Sequence, residues 1–293
     1  MLGYSRIPFR SFAIFTNFYI NDIPQAISCD LLLYADDSCI IYQHKDINEI
    51  SKVLNTNFSN LCDWFVDNKL SIHFGDDKTK CILFASKNKV KKANPLNIRY
   101  KDITIKQHSK VKYLGCILDE TLSGQSMCLH VLNKLNSKLK FLYQKNKILT
   151  PSLRRLLCNA LIQPHFDFAC TSWFPNLNQN LKKKLQTSQN KCIRFCLQLG
   201  NRSHIGVKEF KSINWLSVTD RFDQCISANV YKFLNKQSPP YMAGIFTLTS
   251  NNRINTRKGF LKLIQPSRKT KQGQNCLSYI GPSIWNKLPD TIK

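Results

Sequence analysis

The chain has 293 residues, 43% of them apolar, which is enough to build a core and excludes wholesale disorder. Its net charge of +25 is unevenly placed: residues 1–120 hold 16 Lys/Arg against 13 Asp/Glu, whereas residues 121–293 hold 27 against 5. Such a split points to a polyanion, most simply nucleic acid held through its phosphates; the rival partner, an anionic membrane, would want a basic amphipathic helix with an exposed apolar face, and no run reaches the ~18 apolar residues of a membrane span.

Near the start, Arg6 and Arg10 stand beside an apolar patch with no small-residue cleavage site, so a secretory signal is not expected. Further on, Leu31–Leu33 and Cys39–Tyr42 read as two short buried strands, and Asp36-Asp37 falls where the turn of a hairpin belongs. A polar turn is the plain explanation of two such residues. Folding, however, gives no reason for two adjacent carboxylates, which repel each other between apolar flanks that raise the cost of their charge. A divalent cation relieves both problems, because Mg²⁺ binds through one or two carboxylates and substrate phosphates.

Tyr34-Ala35-Asp36-Asp37 between apolar strands resembles the catalytic hairpin of reverse transcriptases. Phe18-Tyr19-Ile20-Asn21-Asp22-Ile23-Pro24 is similar to the segment leading into that hairpin in non-LTR (LINE-type, jockey-like) retrotransposons. The resemblance implies a role for each residue of the turn. Asp36 would be a shared ligand of two magnesium ions and Asp37 a weaker one, while Tyr34 would set the depth of the hairpin against the primer terminus. In that family a Pro-Gln-Gly-Ser loop precedes, and a first catalytic aspartate lies further upstream. Here Pro8-Phe9-Arg10-Ser11 stands at about the loop's place without its Gln and Gly, and the chain starts after the point of that aspartate. The expectation is therefore a C-terminal portion of such an enzyme, with little or no turnover by the isolated chain.

Asp46 is a good N-cap, and Ile47, Ile50, Val53, Leu54, Phe58, Leu61 and Phe65 follow at helical spacing, so a helix over about 46–67 is expected to pack on the hairpin with Trp64 sealing the contact. Leu70–Ile72 and Lys80–Phe84 read as two further strands joined by Gly75-Asp76-Asp77, a second Asp pair that reads as a turn only. Lys78 matches, with two extra residues before it, the family's lysine at the nucleotide triphosphate; a solvated surface lysine is the alternative. A hairpin is expected around Asn97–Arg99 and Ile103–Ile105. Val111–Leu118 reads as a strand in which Gly115 allows a close backbone approach. It resembles the family's primer grip, which places Tyr113, Leu114 and Gly115 at the primer strand, and an ordinary edge strand also fits it.

From about residue 125 the period becomes helical. Leu129, Leu132, Leu135, Leu139 and Leu142 form a stripe, with Lys134, Lys138, Lys140 and Lys145 outside it. Thr150-Pro151 is a cap followed by proline at the first helical position, opening a helix through Leu153, Leu156, Leu157, Ala160 and Leu161 that ends before Pro164. A third helix starts near Asn178 and carries Lys182, Lys183, Lys184, Lys191 and Arg194; a fourth spans roughly 215–235. Cys192 and Cys196 are a turn apart with only His204 nearby, one ligand short of a zinc site. The twelve cysteines include no C-x-x-C pair, as suits reduced, mostly buried thiols of an intracellular protein, with the nucleus a compatible compartment. Gln237–Pro240 reads as a linker into an irregular tail where Arg253, Arg257, Lys258, Lys262, Arg268, Lys269 and Lys271 cluster ahead of Tyr279 and Trp285. Basic residues interleaved with aromatics suit single strands. Gly281–Pro289 resembles the closing segment of many jockey-like open reading frames, where packing is an equal explanation of Trp285.

The fold expected is α+β: a truncated polymerase palm over residues 1–120, with an antiparallel sheet and packed helices, a mainly helical, basic thumb or connection region over 121–236, and a loose basic tail over 237–293. The resemblance implies an RNA template and a DNA primer as partners, magnesium as cofactor and nucleotidyl transfer as chemistry. Two other readings stay open, a nucleic-acid-binding protein without catalysis and a decayed remnant of an element.

Overall fold

The computed structural model describes residues 20–35, 37–76, 78–242, 244–249 and 262–289. The segment Pro8–Ser11, Phe18, Tyr19, Asp36, Asp77 and the basic residues Arg253, Arg257 and Lys258 lie outside them. The described chain is α+β, a set of helices with three two-stranded sheets, and it divides into two units. One runs to Gly115 and includes Asp119–Thr121; the other comprises Cys116–Leu118 and everything from Leu122 on.

The first unit is built around one long helix. After a short α1 (Ile23–Ala26), β1 (Asp30–Tyr34) and β2 (Asp37–Ile41) pair antiparallel in the register Leu31↔Ile40, Leu32↔Cys39 and Tyr34↔Asp37. Helix α2 (Ile47–Asp67) begins where the sequence says it must, with the Asp46 carboxylate accepting the Asn48 N–H at 3.0 Å. Its C-terminal half buries Leu61 with Ile23 and Ile27, and Trp64, Phe65, Leu31 and Ile40 pack around them. Each fully buried side chain of this kind contributes about 2 kcal/mol. The N-terminal half of α2 packs Ile50 against Leu96, Ile98 and Ile105 of the hairpin β3 (Ile98–Tyr100) and β4 (Ile103–Ile105), so that hairpin forms as the sequence predicts.

Buried Asn57 was not singled out in the sequence, yet it fixes the entry to the first hairpin. It is 3% exposed, and its Oδ1 accepts from Ser28 N–H at 2.6 Å and Cys29 N–H at 3.1 Å, just before β1.

Three expectations for this unit fail. The strands of the first hairpin are not buried: Leu32, Leu33 and Ile41 are exposed at 48%, 38% and 44%, because a lone two-stranded sheet has only the face toward α1 and α2 covered. Leu70–Ile72 and Lys80–Phe84 do not pair. Lys69 takes a left-handed φ of 55° after α2, and Cys81 bridges Gln107 instead, with Cys81 O accepting the His108 N–H at 2.8 Å. Without those strands the described hairpins stay as separate pairs rather than one antiparallel sheet. Between them α3 (Lys87–Lys92) is a short, wholly exposed basic helix or nearly so. Finally, Val111–Leu118 is a hairpin, not one strand: β5 (Lys110–Tyr113) and β6 (Cys116–Asp119) are joined by Leu114 and Gly115 at φ of 45° and 80°. Gly115 is thus a turn residue, as the positive φ demands.

The second unit is helical. Helix α4 (Gln125–Gln144) buries Met127, Cys128, Val131, Leu132, Leu135, Leu139 and Leu142; Leu129 is 41% exposed, off the buried stripe. Gly124 opens it at φ +71°, with a built Cβ 2.3 Å from the Trp173 carbonyl oxygen, so only glycine fits. Helix α5 (Pro151–Leu161) starts at Thr150, whose Oγ1 accepts the Leu153 N–H. Arg154 and Cys158 point inward, while Leu153, Leu156 and Leu161 are exposed at 44%, 61% and 36%.

The short α6 (Gln163–Asp167) and α7 (Cys170–Trp173) lead to α8 (Gln179–Leu197), capped by Asn178, whose buried Leu181, Leu185, Ile193 and Phe195 share the core of α4. After α9 (Val207–Ile213), α10 (Val218–Leu234) begins at the Ser217 cap, so Trp215 and Leu216 precede the helix instead of opening it. The tail is not loose over its described part. It forms α11 (Lys271–Gln274) and α12 (Leu277–Trp285), burying Trp285 at 2% exposure with Val230, Phe246 and Leu263. Asn286 locks it, exchanging two hydrogen bonds with the Leu263 backbone at 3.0 and 2.9 Å.

Candidate functional site

Tyr34 pairs across from Asp37, so the link between β1 and β2 is the two residues Ala35 and Asp36. A two-residue link demands positive φ, and Ala35 takes it at 54°. Left-handed backbone costs an alanine on the order of 1 kcal/mol that glycine would not incur. The turn also lifts its side chains into solvent: Tyr34 is 64% exposed and Asp37 is exposed.

Tyr113, at the end of β5, is close to this turn. Burial raises the pKa of its phenol first, and the neighbouring Cys39 and Asp37 raise it further. Tyr113 is therefore within electrostatic range of Cys39 and Asp37 of β2. Leu114 is 40% exposed at the tip of the β5–β6 hairpin. Lys78 is exposed in a turn closed by its own N–H to Gly75 O at 2.9 Å, and its side chain forms no ion pair with a described residue. Asp76 belongs to that turn and pairs with Lys106 at 3.6 Å on the surface, as a structural acid would.

A magnesium ion needs several oxygen ligands in one place. Among the described residues no group of three or more His, Cys, Asp or Glu side chains converges, at Asp37 or elsewhere, so these residues do not complete a metal site. Residues 1–19 contain no Asp or Glu.

The basic residues of the second unit divide by what they touch. Lys182 lies over the Phe174 ring at 4.9 Å, and burial lowers its pKa, with Lys271 lowering it and Asp223 opposing. Arg194 donates its Nε–H to Ser203 O at 2.9 Å. Lys183, Lys184 and Lys191 are exposed on α8, and Lys184 and Lys191, seven residues apart, share one side of it. Arg268 and Lys269 are exposed ahead of α11. A further cluster lies on α4 and α6, where His165 has its pKa lowered by burial and then by Lys138, Lys134 and His130. Arg154 escaped the sequence reading altogether, because nothing in a leucine-rich helix marks its arginine as the buried member.

All twelve cysteines are free thiols. No helix among the described residues is long and apolar enough to cross a membrane.

No family model and no solved structure matches the chain. It is 21% identical over 187 residues to the probable RNA-directed DNA polymerase from transposon X-element of Drosophila melanogaster, an alignment covering 60% of this chain. The chain spans about a fifth of the length of that relative (20%). The likeness is a distant one, to an RNA-directed DNA polymerase of a transposable element.

Proposed function

We propose that the chain is the palm and thumb portion of a reverse transcriptase of the non-LTR, jockey-like kind. In this reading the first unit presents the Tyr34–Asp37 turn to the primer end, and the second unit holds template and primer through its lysines and arginines. One observation supports it: Asp37 and Cys39 lie near enough to Tyr113 for their charge to raise the pKa of its phenol, so the first unit holds the end of β5 within electrostatic range of the acidic turn. The distant likeness to the X-element polymerase supports the same chemistry.

Asp36 and Asp37 are the carboxylates assigned to magnesium, with substrate phosphates and residues outside the described set as the other ligands. Tyr34, exposed at the turn, offers a ring to the terminal base pair, and Tyr113, Leu114 and Gly115 seat the primer backbone. Lys78 is assigned to the nucleotide triphosphate, while Lys182, Lys183, Lys184, Lys191, Arg194, Arg268 and Lys269 neutralise phosphates. Because Pro8-Phe9-Arg10-Ser11 lacks the Gln and Gly of the family's loop, slow turnover is expected of this chain alone. The free thiols suit the intracellular, nuclear setting this reading assigns.

The test uses purified full chain with primed RNA template. Binding is expected to weaken steeply with salt, and matching deoxynucleotide with Mg²⁺ is expected to tighten the complex in the wild type and not in Asp36→Ala. Strong primer extension abolished by Asp36→Ala would establish the polymerase reading and overturn the slow-turnover expectation. Salt-dependent binding that neither nucleotide nor Asp36→Ala affects would leave the second reading, a non-catalytic nucleic-acid-binding protein, which the exposed lysines of α8 favour.

A further inference from the structure

Arg154 on α5 is 6% exposed, and among the described residues no carboxylate pairs with it. Its Nε–H donates to Leu149 O at 2.9 Å, Nη2 to Asn146 O at 2.7 Å and Nη1 to Phe195 O at 3.4 Å. A guanidinium carries five N–H donors, so each Nη keeps one without a described acceptor. Arg194, from α8, uses its Nε–H on Ser203 O at 2.9 Å and keeps both Nη groups free of described acceptors.

Arg154 and Arg194 line one recess of about 150 Å³ with Tyr143, Asn146, Phe195 and Gln198, and no acidic residue lines it. Capping of backbone carbonyls explains why Arg154 is tolerated inside. It does not explain a second guanidinium on the same recess, nor the absence of any counter-charge there. A buried cation facing carbonyl dipoles and the Phe195 ring, 5.2 Å from its centroid, still lacks a counter-charge, and an anion seated between the two arginines would offset its remaining desolvation cost. Guanidinium forks match phosphate oxygens bidentately, and a doubly charged phosphate suits two of them. A phosphodiester in mid-strand must leave the recess in two directions and carries one charge; a strand end leaves in one and carries more.

We propose that this recess of the helical unit, walled by Arg154 and Arg194, binds the terminal phosphomonoester of a nucleic-acid strand. The proposal rests on the nucleic-acid reading above and adds to it a preference for strand ends.

The experiment measures binding of the full chain to one single-stranded oligonucleotide in three forms: 5′-phosphorylated, 3′-phosphorylated and with hydroxyls at both ends. Inorganic phosphate alone is tested in parallel by thermal melting. One phosphorylated form is expected to bind about tenfold more tightly than the hydroxyl form, as charge-assisted bonds of this type allow. Arg194→Gln is expected to abolish that preference while weakening the hydroxyl form no more than Lys183→Gln does, a change outside the recess that weakens all three forms alike. Equal binding of the three forms by the wild-type chain overturns the proposal without touching nucleic-acid binding, and it needs no variant to be informative. If no oligonucleotide binds but inorganic phosphate raises the melting temperature of wild type and not of Arg194→Gln, the phosphate site stands with free phosphate as its ligand and the nucleic-acid reading falls. If neither binds, both fall.

Discussion

Replacing Asn57 with leucine should loosen the acidic hairpin more than any change in the hairpin itself. Asn57 is 3% exposed, and its Oδ1 takes the N–H of Ser28 at 2.6 Å and of Cys29 at 3.1 Å, with the Ser28 hydroxyl at 3.2 Å. Leucine fits among Val53, Leu61 and the apolar residues of α2 but accepts nothing, which strands two backbone donors at the entrance to β1. An unsatisfied buried donor costs about 1–3 kcal/mol, and these two are only partly buried, so the lower half of the range applies. The expected loss is about 2–4 kcal/mol. Asn57→Asp keeps the acceptor but replaces the Nδ2 bond to Val53 O at 2.9 Å with a buried carboxylate, so it should also destabilise the hairpin. Amide hydrogen exchange over residues 28–41 is the assay, because it reads local opening directly. Protection there should fall by about 30-fold or more in Asn57→Leu, with the amides of α8 unaffected. Unchanged exchange in that variant would refute the view that Asn57 holds the hairpin in place.

Gly124→Ala should be costly, since its φ of +71° is strained for alanine and the new Cβ would stand 2.3 Å from Trp173 O; a loss above about 2 kcal/mol is expected in urea unfolding followed by tryptophan fluorescence. Tyr113 should ionise later than an ordinary phenol, because burial and then Cys39 and Asp37 raise its pKa. The unfolded chain releases this proton near its usual value of about 10, so the associated stability is intact below that pH and is lost as pH rises through the folded value. Ultraviolet titration should show Tyr113 moving toward ordinary behaviour in Asp37→Asn, and no movement would mean that the two do not sense each other. His165 should titrate below the ordinary histidine value, since burial, Lys138, Lys134 and His130 all disfavour its cation. Its contribution to stability is present above the unfolded pKa and is lost as pH falls through the lowered folded one. Proton NMR of the ring should show this, with an upward shift when an oligonucleotide binds nearby.

What could be read from the sequence was whatever local chemistry decides. Asp46, Thr150 and Asn178 each cap the helix that follows, because a side-chain oxygen two or three residues ahead of a free N–H needs no tertiary help. The faces of helices are set by their neighbours, and there the pattern misled. Leu153, Leu156 and Leu161 of α5 stay exposed, yet Arg154 goes inside because carbonyls of Leu149, Asn146 and Phe195 converge on it. Gly281-Pro282 lies within α12, where Gly281 leaves room for the Phe246 ring 2.5 Å from where a Cβ would stand. The strands expected at 70–84 failed for a related reason. Residues 71–74 do alternate between exposed and half-buried, as a strand would, but alternation specifies a face and supplies no hydrogen-bonding partner.

The candidate site divides along the same line. The Asp pair was legible because folding offers no reason for it, and an otherwise costly feature points to use. Ala35 strengthens that argument from the structure: a two-residue turn that places alanine, not glycine, at φ 54° is held by its surroundings, here a five-residue ladder and the anchor at Asn57. Tyr113 is separated from Asp37 by a long stretch of chain, and nothing local to either residue marks that Asp37 acts on its phenol. Arg154 had no signal in the sequence, and Arg194 stood out only as one cation among several on its helix. Their significance lies in a charge balance that exists only once α5 and α8 are packed, and a one-dimensional count of lysines and arginines gives them the same weight as every solvated cation on the surface. Two interior or half-interior guanidinium groups without an acid differ from exposed lysines in one physical respect. An exposed lysine already has water as its partner and gains little from a phosphate beyond released counterions, whereas a buried arginine has already lost its water and gains an ion pair in a medium that screens it poorly.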